Sequence, residues 1–269
     1  MTKIGLALGG GAALGWAHIG VIRALYNESI PIHSVAGTSI GSVVGAAIVE
    51  NKLDHLEDLA RNVKVATILK FLDPSFKRGS MLGGRTVMAE LHRHFGQICI
   101  EDMDMPYCAV AADLVSGKDI WIKEGPIVKA VRASISLPGL FAPVHRGPHI
   151  LADGGLINPV PVDAARSLGV DKVIAVNLQA DYKGRAKAAG LQAHEPLPRR
   201  ATVNITRASM GLMLRSLTAA RFQIHPADVL ISPEIGHIEV GDFTKADELI
   251  TCGERAVYDK LDALKALLP

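Results

Sequence analysis

Apolar residues recur along the chain in two rhythms. Short unbroken runs such as Ile4-Gly5-Leu6-Ala7-Leu8 have the length of buried strands. Longer segments, such as residues 41–50, have the spacing of helices. The first run ends in Gly9-Gly10-Gly11 and leads into a helix to about Tyr26. A second strand over 33–36 ends in a glycine-serine turn and leads into the helix of 41–50. Strand, turn, helix, strand, turn, helix is the order of a parallel sheet with crossover helices.

Residues 54–100 read as mainly helical, broken at Asp73-Pro74 and at Arg78-Gly79-Ser80, with Gly83-Gly84 opening another helix. Strands follow at 107–113 and 119–122 around a Ser116-Gly117 turn, then a short helix at 128–135 that stops before Pro138-Gly139. Further strands are predicted at 149–152, 172–178 and 230–232, and a closing helix at 244–268. The stretch 181–200 is polar and basic, with Gly184, Gly190, Pro196 and Pro198, and reads as a mobile loop. A helix over 203–222 interleaves Met210, Leu212, Met213, Leu214 and Leu217 with Arg207, Arg215 and Arg221. That helix reads first as a core-facing stripe with arginines in solvent, since amphipathic helices usually face a core, and alternatively as a basic apolar surface for anionic lipid. Residues 78–85 read either as a border of an acyl entrance or as an ordinary surface loop. No repeat or low-complexity tract interrupts a single α/β domain over 1–269.

Composition narrows the class. The chain is 49% hydrophobic with only 4% aromatics, so its core is expected to be Ala, Val, Ile and Leu packing. A net charge of +2, with both signs spread along the chain, argues against nucleic acid as a partner. Cys99, Cys108 and Cys252 have no metal-ligand spacing and read as free or buried thiols in a reducing compartment. The first apolar run is too short for a secretory signal and no stretch is long enough to span a membrane, so the expectation is a soluble, cytoplasmic protein.

Three stretches carry candidate chemistry. Gly37-Thr38-Ser39-Ile40-Gly41 is a G-x-S-x-G between a strand and a small-residue helix. That is the setting of a nucleophile elbow, and equally of a glycine-rich turn opening an ordinary helix. Gly9-Gly10-Gly11-Ala12-Ala13-Leu14-Gly15 leaves backbone N–H groups bare at a helix start, a site for an anion or an oxyanion. A dinucleotide fingerprint would need glycine where Leu14 stands, and a P-loop would need Gly-Lys-Ser/Thr, so both nucleotide readings fail. Asp153-Gly154-Gly155 places a carboxylate at a strand end among glycines, where it either faces a site or caps its own turn.

A triad would need a histidine on a late loop, and surface or helix-face positions are the ordinary reading of the histidines here, with a base among them as the alternative. His18 lies on the first helix, His55, His92 and His94 in the helical segment, His194 in the polar loop, and His225 and His237 late but outside any glycine-rich strand end. Without a histidine, Asp153 must take the Ser39 proton itself. With an ordinary pKa of about 3.9 it would be a weak base.

Together these blocks resemble the compact bacterial form of the patatin-like phospholipases. The likeness runs from Gly5 to about Pro161 through Gly9–Gly15 with His18-Ile19-Gly20, Gly37–Gly41, Arg132-Ala133-Ser134-Ile135-Ser136-Leu137-Pro138-Gly139-Leu140-Phe141-Ala142-Pro143-Val144, and Asp153-Gly154-Gly155. The resemblance implies a three-layer α/β/α sandwich with a mainly parallel sheet. It implies Ser39 as nucleophile and Asp153 as its single proton acceptor, with Gly37, Gly41, Gly154 and Gly155 in support. It places an oxyanion hole at the Gly9, Gly10 and Gly11 amides, with no metal and no cofactor. The implied activity is hydrolysis of fatty-acyl esters through an acyl-enzyme, with transient membrane contact. Acyl transfer by the same dyad, or a regulatory protein with little turnover, are the alternatives. Leu14 departs from the pattern, since many relatives carry Arg there.

Overall fold

Strand β1 (Ile4–Leu8) is buried on both faces, and it forms the centre of the sheet. The computed structural model describes residues 2–63, 80–82, 84–191, 193–194 and 201–268. Around β1 stand β2 (Ser34–Thr38), β9 (Lys172–Val176) and β10 (Val229–Ile231). β4 (Tyr107–Asp113) pairs with β2, and β5 (Asp119–Ile122), β7 (Val144–Arg146) and β8 (His149–Asp153) complete the sheet. The order is β10-β9-β1-β2-β4-β8-β7, with β5 on β4, and β3 (Ser80–Leu82) pairs separately with β6 (Gly139–Phe141).

The strand order from β10 to β4 is joined by parallel ladders. Beyond it the ladders are antiparallel. The helices are α1 (Trp16–Asn27), α2 (Ile40–Val49), α3 (Leu53–Asn62), α4 (Arg85–Phe95), α5 (Ile127–Ser134), α6 (Val162–Arg166), α7 (Tyr182–Ala188), α8 (Ala201–Ile224), α9 (Ala246–Tyr258) and α10 (Leu261–Lys265). Alternate residues of the strands face two cores, as the two-residue period requires. Leu6, Leu8, Val35 and Ala109 pack against α1, α2, α5 and α9. Ala7, Ala36, Cys108 and Ala175 pack against α6 and Phe222 of α8. That is the expected three-layer sandwich. Helices α1 and α9 cross so closely that a Cβ on Gly20 would lie 1.9 Å from the Ile250 carbonyl oxygen, and one on Gly253 2.0 Å from that of Ala17.

One junction decides where the site falls. Ala111 pairs with Ile120 on one side and with Asp153 on the other, and Ala109 pairs likewise with Ile122 and Gly37. Strands β2 and β8 therefore lie end to end along the same edge of β4, running in opposite directions. Their C-termini meet where Thr38 pairs with Val110 and Asp153 with Ala111. The strand end expected to carry Asp153 belongs to a strand antiparallel to β4, and it reaches the C-terminal edge of the parallel strands by running head-on into β2.

Two other expectations change, and a third is not reached. The stretch read as a loop contains α7, started by Asp181, whose Oδ1 accepts the Gly184 N–H at 2.8 Å; residues 192 and 195–200 lie outside the described residues. The closing helix is two helices, broken at Asp259-Lys260. The breaks expected at Asp73-Pro74 and at Arg78-Gly79 lie outside the described residues, as does Gly83. Of the segment 78–85, β3 pairs with β6 and α4 begins at Arg85.

Candidate active site

Ser39 sits between β2 and α2 with φ 54° and ψ −125°, a conformation that costs a non-glycine residue energy and is held by its surroundings. The turn closes only because both flanking positions are glycine. A Cβ on Gly37 would lie 2.3 Å from the Gly41 carbonyl oxygen, and one on Gly41 2.2 Å from that of Leu8. The Ser39 N–H donates to Ser134 Oγ at 2.9 Å, and Ser134 in turn donates to the Val110 carbonyl at 2.6 Å. Thr38 Oγ1 donates to the Asn158 carbonyl at 2.8 Å, and Ser42 Oγ to the Ser39 carbonyl at 2.6 Å.

The Ser39 hydroxyl donates to Asp153 Oδ2 at 2.5 Å. Asp153 Oδ1 accepts the Gly155 N–H at 2.8 Å, and the Asp153 N–H donates to the Ser136 carbonyl at 2.9 Å. Both readings of Asp153 are thus realised at once, one oxygen on its own turn and the other on Ser39. Gly154 lets the strand ends meet, since a Cβ there would lie 2.3 Å from the Val110 carbonyl oxygen. The Asp153 side chain is 4% exposed. Burial raises its pKa to about 6, against the pull of its hydrogen bonds from Ser39 and Gly155. Asp153 is therefore a stronger base than the sequence reading allowed.

Among the described residues no histidine bonds to Ser39 or Asp153. His18 is fully buried behind the glycine loop, with Nε2 2.8 Å from the Gly9 carbonyl oxygen, and burial lowers its pKa to about 4. It is neutral at physiological pH, so Nε2 carries the proton and donates. His149 lies on Asp113, His237 on Glu248, and His94 between Glu90 and His55.

The glycine loop divides its amides between two tasks. Gly9 N–H donates to the Val176 carbonyl at 3.0 Å and Gly10 N–H to that of Pro159 at 2.9 Å. These two, expected to face an oxyanion, are used to fasten the loop to the sheet. The Gly11 and Ala12 N–H groups have no acceptor among the described residues. Gly10 lies against Ser39, and Ala12 lines the same cavity as Ser39. Leu14 is fully buried, where a charged arginine would need a partner.

From Ser39 and Asp153 a cavity of about 310 Å³ runs along the α2 face formed by Ile40, Val43 and Ala47. Leu56 and Leu59 of α3, Leu91 of α4, and Leu140 and Phe141 of β6 close it. Its walls are apolar almost throughout, as an acyl chain needs. Sequence reasoning missed Ser134, Ser136, Asn158 and this lining, although both serines stood in the quoted Arg132–Gly139 block. Among the described residues no group of three His, Cys, Asp or Glu side chains is placed to hold a metal, and no helix is long and apolar enough to cross a membrane.

Comparison with known proteins bears on the family and the fold. The family model for patatin-like phospholipases matches residues 6–166, more than half of the chain. An uncharacterised NTE family protein of Mycobacterium tuberculosis is 37% identical over 229 residues, 85% of this chain and 60% of that protein. Human patatin-like phospholipase domain-containing protein 6 is 38% identical over 183 residues, 66% of this chain and 13% of that protein. VipD from Legionella pneumophila has a similar fold, with a TM-score of 0.61 over 98% of this chain and 67% of that one at 14% identity. The chain thus spans 60% of its mycobacterial relative and a small part of the human one.

Proposed function

The chain belongs to the patatin-like phospholipase family, and from that premise we propose that it hydrolyses fatty-acyl esters of lipids through a Ser39–Asp153 dyad. The observation that carries the proposal is the 2.5 Å bond from Ser39 Oγ to Asp153 Oδ2, at the head of an apolar cavity.

In the first step Asp153 accepts the Ser39 proton as Oγ attacks the ester carbonyl. The Gly11 and Ala12 amides stabilise the tetrahedral oxyanion, and the proton then passes from Asp153 to the departing alcohol or lysolipid oxygen. The acyl chain on Ser39 lies along α2. Water then gives its proton to Asp153, attacks the acyl-enzyme, and releases the fatty acid as Ser39 Oγ recovers the proton. A carboxylate with a pKa of about 6 is ionised at neutral pH, yet basic enough to share a proton with a hydroxyl.

A fluorophosphonate probe tests the nucleophile directly. Labelling of the wild type and none of Ser39→Ala is expected, with Asp153→Asn labelled far more slowly. Absence of label on folded wild type, or equal label on Ser39→Ala, refutes the proposal.

A further inference from the structure

Helix α8 packs Phe222 against the sheet but shows Ile205, Met210, Leu212, Met213 and Ile224 to solvent. The side turned to the protein carries Ala208, Gly211 and Thr218. Gly211 fits there against Arg185 of α7, with 3.2 Å from its Cβ position to Arg185 Cδ, and Asn204 Nδ2 donates to the Ala189 carbonyl at 3.0 Å. The Arg185 side chain lies across Gly211, leaving little room there for a larger residue. Met213 is 73% exposed, Met210 58% and Ile224 70%, and these three share one face at helical spacing. Leu212 and Ile205 are exposed beside them. Five large apolar side chains exposed on one helix are more than the scattered few an ordinary surface shows, and they mark an interaction site.

The charge on the same two helices says which partner fits. Helices α7 and α8 carry six cationic side chains (Lys183, Arg185, Lys187, Arg207, Arg215 and Arg221) and no acidic one. The whole chain has a net charge of +2, so everything outside these helices sums to −4. Lys183, Lys187 and Arg215 are exposed and have no carboxylate partner among the described residues. Another copy of this chain offers acidic groups, since Glu234, Asp247, Glu248 and Asp259 line one surface pocket, whereas an anionic bilayer offers both negative headgroups and an apolar layer beneath them for the exposed methionines.

The surface is also joined to the site. Arg207 pairs with Glu239 at 3.2 Å, and the next residue, Val240, accepts the Ala13 N–H of the glycine loop at 3.0 Å. Asp181 Oδ2 accepts the Gly236 N–H at 2.8 Å, tying the start of α7 to the same loop, which continues to Phe243 in the cavity wall.

We propose that the outer face of α8, with the exposed cations Lys183, Lys187 and Arg215, docks the protein on an anionic lipid bilayer. This goes beyond the hydrolase reading and does not depend on turnover.

The test is flotation of the Ser39→Ala protein, which leaves lipid uncleaved, with phosphatidylcholine vesicles with and without phosphatidylglycerol. Binding only to the phosphatidylglycerol vesicles is expected, weakened by high salt. Adding Met210→Glu/Met213→Glu is expected to reduce it at least about tenfold. Adding Lys183→Gln/Lys187→Gln/Arg215→Gln is expected to erase the preference for anionic vesicles, a second readout should the glutamate variant fold poorly. Circular dichroism checks folding, and in the Ser39 background turnover of a water-soluble short-chain ester should be unchanged by either set. No binding to anionic vesicles, or binding that survives both variants, overturns the proposal. So does a dimer in solution that Met210→Glu/Met213→Glu converts to monomer while vesicle binding persists.

Discussion

Ser134 fixes the backbone of Ser39 by standing between two strands: its Oγ accepts the Ser39 N–H at 2.9 Å and donates to the Val110 carbonyl at 2.6 Å. The hydroxyl lies fully buried, so water cannot replace it. Ser134→Ala would strand a donor and an acceptor at the point where Ser39 holds its positive φ. A loss of about 1–3 kcal/mol in unfolding free energy is expected. Urea titration measures it, and a slower fluorophosphonate reaction should accompany it. Unchanged stability and labelling would show that the turn holds itself.

Asp153 makes activity and stability run in opposite directions with pH. Its folded pKa of about 6 lies above the ordinary value of 3.8. Between those values the folded protein binds more protons than the unfolded one, so this group's contribution to stability is full below about pH 4 and falls as pH rises to about 6. Relative to wild type, Asp153→Asn should therefore gain stability between pH 4 and pH 7, by about 1–3 kcal/mol. In the wild type, kcat/KM should rise with pH through about 6 and then level off. A flat difference in stability between the two proteins across that range would contradict the buried, raised carboxyl.

How far the site could be read in advance depended on the range of the interactions involved. The Ser39 turn was legible because Gly37 and Gly41 act within five residues of it. Asp153 was legible as part of a family pattern, but its route to Ser39 was not. The head-on meeting of β8 with β2 depends on which edge of β4 each strand takes, and no local pattern encodes that choice. The division of labour in the glycine loop was hidden for the same reason, since the acceptors that occupy Gly9 and Gly10 come from Val176 and Pro159. β6 and β7, three residues each, are too short to show a period. On α8 the arginines and large apolar residues drew attention, while the buried side was specified by Ala208, Gly211 and Thr218. Small residues do not stand out in a hydrophobic pattern.

On the proposed mechanism, His18 positions the glycine loop and takes no part in the proton transfer. Its Nε2–H meets the carbonyl of Gly9, whose own N–H is bound to Val176, so both ends of that residue are held. His18→Leu would leave a buried carbonyl unpaired and loosen the loop that presents Gly11 and Ala12. About a tenfold fall in kcat is expected, a modest part of what one hole donor supplies elsewhere. The pH profile should keep its inflection near 6, because that inflection belongs to Asp153. A histidine base would instead take the inflection with it, so disappearance of the inflection in His18→Leu would refute the dyad.

Ala47 marks a depth in the cavity. It lies on the same face of α2 as Val43 and Ile40, eight residues beyond Ser39, so at 1.5 Å per residue about 12 Å along the helix axis. Ala47→Phe would fill the cavity at that depth without touching the reacting groups. Short acyl chains end before the ring and long ones meet it, so the substitution should act on chain length alone. Losing the burial of two or three methylenes costs about 2 kcal/mol, and the ratio of kcat/KM for a palmitoyl over a butyryl ester should fall at least about tenfold. The butyryl ester should be turned over at close to the wild-type rate, which also shows that the ring has not unfolded the helix. If both esters lost activity equally, the chain would not run along α2.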